Sequence, residues 1–266
     1  MGALIVLLCA LFVFIRSGIA LRLTARFRPG AVMGYVSSRQ RSVSRRLFLF
    51  ARWFGGLRLR FEGYEGPDLP PVFLLVSNHQ SLVDIPALTV AFSRHPLRFV
   101  AKKELSRGIP YISIILRIGG HAIISRTGDY RKGHEELRRF AELARQGICP
   151  VVFPEGTRSR TGRVGGFYAG AVRIILERAR IPVLSVAVDG GYRMSTVPGL
   201  LRNLRGTFYR VKPLTLYRAP NGKREILEVL AKIETEIAVQ IGAWRDEEEK
   251  KPIPSGWVES RPSQAL

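Results

Sequence analysis

Two short segments carry side chains that could do chemistry. Asn78-His79-Gln80-Ser81-Leu82-Val83-Asp84 supplies a histidine and a carboxylate close in sequence. An imidazole takes and returns a proton near neutral pH, and a neighbouring carboxylate can orient the ring and stabilise its charged form. About seventy residues later, Phe153-Pro154-Glu155-Gly156-Thr157-Arg158-Ser159 supplies a glycine, a hydroxyl and a guanidinium. Glycine lets backbone N–H groups approach a ligand, and a guanidinium pairs with oxyanions, so the set suits an anion. A base beside an anion site implies activation of a hydroxyl on a phosphorylated substrate.

The elements that position these residues follow from the same stretch. Five residues along one helix is about 140° of rotation, so His79 and Asp84 would point apart if a single helix held both. They can meet only if His79 sits in the turn before a helix and Asp84 lies near its start. Val72–Val76 reads as a buried strand, Ser77-Asn78 ends it, and Pro86 suits a first helical turn. Further strands are predicted at 57–61, 97–101, 122–125, 149–153, 183–188 and 208–216. Helices are predicted after Asp84 and around 109–118, 129–145, 169–180 and 224–241. This alternation predicts an α/β layer fold with a largely buried mixed β-sheet flanked by helices. No internal repeat is visible.

The formal net charge is +21, and its distribution is informative. Every charged residue before Glu62 is an arginine, from Arg16 to Arg60. Nucleic-acid binding is one reading of such a run. Here the arginines are interleaved with apolar residues beside a hydrophobic segment, which fits an anionic membrane face and argues against nucleic acid. Residues 3–15 form an uncharged apolar run, extended weakly past Arg16 by Ser17-Gly18-Ile19-Ala20-Leu21; the uncharged part is short of the ~20 residues a bilayer span needs, so a marginal span or a helix in one leaflet is expected. No basic start or clear cleavage site marks it as a signal peptide. A second stretch, 39–54, sets Leu47, Phe48, Phe50, Trp53 and Phe54 among arginines, the composition of an interfacial helix. If the first run spans, the arginines after it would hold the rest in the cytoplasm. Cys9 and Cys149 make no disulfide framework, and no histidine or cysteine pair has metal-ligand spacing, so no metal is expected.

Together the two motifs resemble the glycerolipid acyltransferases, which include 1-acyl-glycerol-3-phosphate acyltransferase. Lys102-Lys103-Glu104-Leu105 with Pro110, Gly120 through Arg126, and Ile181-Pro182-Val183 are weaker family-like features, so the resemblance covers about 60–217. It implies an acyltransferase domain at 57–245, behind membrane-anchoring helices at 1–56 and ahead of a disordered, Pro- and Ser-containing tail at 246–266.

The resemblance also implies roles. His79 would be the general base that takes the proton from the acceptor's free hydroxyl, with Asp84 fixing its tautomer. The hydroxyl would attack an acyl thioester, acyl-CoA or acyl carrier protein, without an acyl-enzyme, because no serine or cysteine stands in a nucleophile motif. No cofactor beyond that co-substrate is implied. Glu155, Gly156, Thr157 and Arg158 would form the acceptor site, with Arg158 on the phosphate and Glu155 orienting Arg158, a backbone turn or the glycerol hydroxyls. Arg126 and Lys102 are further candidate phosphate ligands, each following a strand. The acceptor expected is 1-acyl-glycerol-3-phosphate, acylated at sn-2 to phosphatidic acid, by a membrane enzyme facing the cytoplasm. Two departures leave another lyso-lipid as the alternative. Ser125 stands where relatives often have aspartate, and Phe167-Tyr168-Ala169-Gly170 lacks the lysines many carry before that glycine. A non-catalytic basic membrane- or nucleic-acid-binding protein is the reading from a different class, and it has no need of a paired base.

Overall fold

The computed structural model describes residues 1–63, 69–125 and 130–250, with side chains to 248. One seven-stranded mixed sheet forms its centre. The strands are β1 (Arg58–Phe61), β2 (Leu74–Ser77), β3 (Leu97–Lys102), β4 (Ala122–Ile124), β5 (Cys149–Val152), β6 (Val183–Asp189) and β7 (Phe208–Tyr217). Their spatial order is β1-β7-β6-β2-β5-β3-β4. β2 pairs in parallel with both β5 and β6, and β3 pairs in parallel with β5 and β4. β7 runs antiparallel to β6. The carboxyl ends of β2, β3, β4, β5 and β6 therefore share one edge, and the start of β7 reaches that edge from the opposite direction.

Both faces of the sheet are covered, which explains why the central strands read as continuous apolar runs. In β2, Leu74 and Val76 point to one face, whose core includes Phe140, Ile175, Ile233, Ile237 and Trp244. Phe73 and Leu75 point to the other, with Leu88, Phe92, Phe99 and Tyr209. The first face is closed by α5 (Tyr130–Glu142), α6 (Gly170–Ala179) and α8 (Gly222–Lys250). α8 buries Ile226, Val229, Leu230, Ile233, Ile237, Ile241 and Trp244, a helical stripe at three- and four-residue spacing. The second face carries α3 (Asp84–Ala91) and the end of α2 (Val32–Trp53).

The elements depart from the sequence expectation at three places. The apolar run at 3–15 and its weak extension to Leu21 form one continuous helix that reaches further still, α1 (Gly2–Phe27), because no glycine or proline breaker outweighs the apolar residues that follow Arg16. The inner faces of α1 and α2 also join the domain's packing. Val6 and Ala51 enter the core on the α3 face, and Val13, Leu21, Val36 and Val43 pack with Tyr111 and Ile114 around α4 (Ile112–Ile118). At the other end α8 continues through Lys250, past the 246 boundary expected for a tail, on a helix anchored by the buried Trp244. The rest of that tail, 251–266, lies outside the described residues. A short helix, α7 (Val197–Asn203), was not expected; Thr196 caps it by accepting the Gly199 N–H.

Candidate active site

His79 follows β2 and Asp84 opens α3, so the chain between them is a turn at the carboxyl edge of the parallel strands, where α/β sheets bind ligands. His79 Nδ1 lies 2.6 Å from Asp84 Oδ2. A carboxylate only accepts, so Nδ1 carries the proton and Nε2 holds the lone pair. The backbone N–H groups of Gln80 (2.6 Å) and Ser81 (2.9 Å) donate to the same Oδ2. Oδ1 accepts the Tyr209 hydroxyl at 2.6 Å. Asp84 is fully buried, and these four donors are what make a buried carboxylate tolerable there.

The imidazole itself is partly open, its side chain 15% exposed. It stacks on Phe153 with centroids 4.2 Å apart and planes 14° from parallel, so the ring is held from below as well as from Nδ1.

β5 is the neighbour of β2, which brings the second motif alongside the first. The Gly156 N–H donates to Phe153 O at 3.0 Å, closing a tight turn in which Gly156 takes φ +63°. Glu155 is buried, and both its oxygens hold backbone: Oε1 accepts the His79 N–H at 2.7 Å and Oε2 the Gly165 N–H at 2.9 Å. Burial pushes its carboxyl above the ordinary carboxylate range, opposed by those two N–H donors and by His79. The Ser159 N–H returns to His79 O at 2.7 Å, so the 155–165 loop is tied to both sides of the histidine.

Arg158 is exposed on this loop, and its Nη1 donates to Ser195 O at 2.7 Å. Thr157 is exposed beside it. Lys102 is exposed at the end of β3, on the same edge but one strand further from β2. Arg126 lies outside the described residues.

Sequence reasoning missed Tyr209 entirely. It lies second in β7, far along the chain, and nothing local marks it; the antiparallel register that sets Val188 opposite Val211 and Asp189 opposite Arg210 brings the start of β7 under the motif. Burial and the Asp84 carboxylate raise its hydroxyl well above the ordinary phenol range, so it remains a donor.

A histidine–carboxylate pair on the carboxyl edge of an α/β sheet, tied to an arginine-bearing loop, has the build of a group-transfer enzyme. Residues 60–189 match the family model described as Acyltransferase. A 1-acyl-sn-glycerol-3-phosphate acyltransferase of Cocos nucifera is 28% identical over 167 residues, covering 62% of this chain and 49% of that protein. One of Pseudomonas aeruginosa is 30% identical over 159 residues, covering 58% and 60%. The chain thus spans about half of the length of such relatives. Its fold is similar to the crystal structure of the 1-acyl-sn-glycerophosphate (LPA) acyltransferase, PlsC, from Thermotoga maritima, with TM-score 0.70, 21% identity and 95% and 96% of the two chains covered. Over residues 60–189, just under half of its length, the chain is thus similar to the acyltransferase domain of these proteins.

Proposed function

We propose that the protein transfers an acyl group from an acyl thioester to the sn-2 hydroxyl of 1-acyl-glycerol-3-phosphate, giving phosphatidic acid. The observation that carries this is the 2.6 Å His79–Asp84 contact, which leaves Nε2 basic at an open edge of the sheet. Nε2 would take the hydroxyl proton as the oxygen attacks the thioester carbonyl. The thiolate would then leave and recover that proton from the imidazolium, so no covalent enzyme intermediate is needed. Asp84 would stabilise the transient cation. The remaining N–H donors of Arg158 would bind the acceptor phosphate, with Lys102 on the same edge and, from the sequence, Arg126 as further candidates. The donor is acyl-CoA or acyl carrier protein.

The acceptor is a membrane lipid, and α1 is suited to reach it. It is long and apolar enough to cross a membrane by length and composition. One side packs on the domain through Val6, Val13 and Leu21, while Leu4, Leu8, Phe12, Ile15, Ile19 and Leu23 face outward at three- and four-residue spacing. Trp53 and Phe54 at the end of α2, and Val197 and Leu201 on α7, are exposed as well. This surface, with its arginines, would seat the protein on an anionic bilayer with the domain on the cytoplasmic face.

A second reading keeps the reaction and changes the acceptor to a non-phosphate lyso-lipid; the lysine-free Phe167-Tyr168-Ala169-Gly170 favours it. The test is acyl transfer from a radiolabelled acyl thioester to lysophosphatidate, with His79→Ala alongside. Labelled phosphatidic acid from the wild type alone supports both reaction and base. Turnover of other lyso-lipids but not lysophosphatidate would replace the first reading by the second.

A further inference from the structure

Asp189 ends β6 and is buried, and its carboxylate is not part of the acyl-transfer chemistry. Its Oδ1 accepts from two groups: Gln80 Nε2 at 2.9 Å and Arg245 Nη2 at 3.1 Å. The carbonyl oxygen of Gly162, on the loop after the second motif, accepts from the same two groups, at 3.4 Å from Gln80 Nε2 and 2.8 Å from Arg245 Nη2. Gln80 and Arg245 therefore share a pair of acceptors, and the four residues close a ring.

We propose that Arg245 is a positioning residue for the His79–Asp84 turn: it closes the Gln80–Asp189–Arg245–Gly162 ring that holds the turn and the loop after the second motif in one register. The inference rests on the reading of His79 as the base. Gln80 is the link to the chemistry. Its backbone N–H donates to Asp84 Oδ2, and its side-chain Oε1 accepts the Gly191 and Tyr192 N–H groups at 3.0 and 3.2 Å. The Gln80 side chain is thus held on both ends of its amide, and Asp189 supplies the shorter of the two bonds at Nε2. A buried carboxylate stays put when it is compensated, and the neutral Gln80 amide brings no charge. Arg245 is the cation paired with Asp189 among the described residues.

Shape agrees with charge. Gly162 has φ +79°, and a Cβ there would come within 2.3 Å of Arg245 Nη2 and 2.8 Å of the Tyr192 ring, so the loop backbone is seated directly against the guanidinium. That guanidinium also lies over the Tyr192 ring, 5.3 Å from its centroid. Arg245 is aimed there by its neighbour: Trp244 is buried in the core and donates through Nε1 to Glu62 at 3.0 Å, and the next residue, ~100° further round the helix, faces the loop. Since α8 is docked by its apolar stripe, removing one arginine near its end leaves the helix in place.

The test is a double-mutant cycle on the full-length protein, read in two ways. Amide hydrogen exchange of Gln80 and Ser81 reports the turn without any turnover, and kcat for acyl transfer reports its consequence. Arg245→Ala should speed exchange at both amides and lower kcat on the order of tenfold, with Arg245→Lys recovering most of the rate. In an Asp189→Asn background, where no buried charge needs a partner, Arg245→Ala should cost less than about twofold. Equal losses in both backgrounds would show that the arginine merely docks α8, and unchanged exchange at Gln80 and Ser81 would overturn the proposal whatever the rates. A wild type inactive towards every lyso-lipid would instead sink the proposed reaction, while the exchange data still judge the ring.

Discussion

Replacing Asp84 by asparagine separates charge from geometry at the proposed base, His79. Oδ2 accepts three N–H donors, from His79, Gln80 and Ser81, whereas Oδ1 accepts one hydroxyl, that of Tyr209. An asparagine that turned its NH2 towards His79 would also face two backbone N–H groups, which is repulsive. The carbonyl oxygen must therefore take the Oδ2 position, and the NH2 meets Tyr209, whose hydroxyl can reverse and accept. The His79 tautomer is retained and only the charge is lost. Charge centres ~4 Å apart at an effective dielectric of ~20 attract by about 4 kcal/mol. About 1 kcal/mol survives as a neutral hydrogen bond. The net loss of ~3 kcal/mol is roughly a hundredfold in kcat. The assay is saturating transfer from a radiolabelled acyl thioester to lysophosphatidate, with thermal unfolding confirming the fold. A loss below about fivefold would refute charge stabilisation of the imidazolium. A loss near 10⁴, the scale of a wrong tautomer, would refute the orientation deduced from the two backbone donors.

Tyr209→Phe removes one donor to a buried carboxylate, so it should cost about 2 kcal/mol of stability and lower the unfolding midpoint by roughly 4–8 °C, while kcat falls less than about tenfold because the Asp84 charge remains. A rate loss as large as that of Asp84→Asn would mean that Tyr209 does more than hold Asp84. Arg158→Ala should raise the KM for lysophosphatidate at least about tenfold with a smaller change in kcat, the pattern of lost ground-state binding; an unchanged KM contradicts the phosphate role. His121 is fully buried, and burial, followed by the Arg98 charge, holds its pKa down to about 3. Below its ordinary pKa of about 6.5 the unfolded chain takes up a proton there that the native state does not, so this contribution to stability is complete above that pH and is lost as pH falls towards 3. In His121→Asn, whose side-chain oxygen can still accept the Phe99 N–H, that pH slope should vanish, and the two unfolding midpoints should converge on acidification; parallel curves would place a charge on the native imidazole.

Much of the frame was legible because its signals are local. All seven strands fall where apolar runs bounded by turn residues put them, and the helical patterns at 169–180 and 224–241 became α6 and α8. The turn holding His79 and the helix opening at Asp84 followed from helix rotation, the strand ending at Ser77-Asn78 and Pro86. What failed to show was short or long-range. α7 is a seven-residue helix that packs on the core through Leu200, with Leu204 just after its end, too brief for a periodic signal. The last turns of α1, from Arg22 to Phe27, carry arginines that weaken the apolar signal, although an arginine costs little within a helix.

By itself the sequence determined the chemistry on offer: which residues can act as base, carboxylate and anion partner, and on which strand ends they sit. Spacing along one turn suffices for that, because His79 and Asp84 meet through five residues of backbone. Only the tertiary structure decided how Asp84 is held, since Tyr209 reaches it through the antiparallel register of β7. It also decided that Glu155 holds backbone, and that Arg245 joins the second motif's loop to Asp189. Apart from Glu155–Gly165, ten residues apart, each of these contacts bridges dozens of residues. Their existence depends on strand order and helix docking, which no local pattern of side chains encodes.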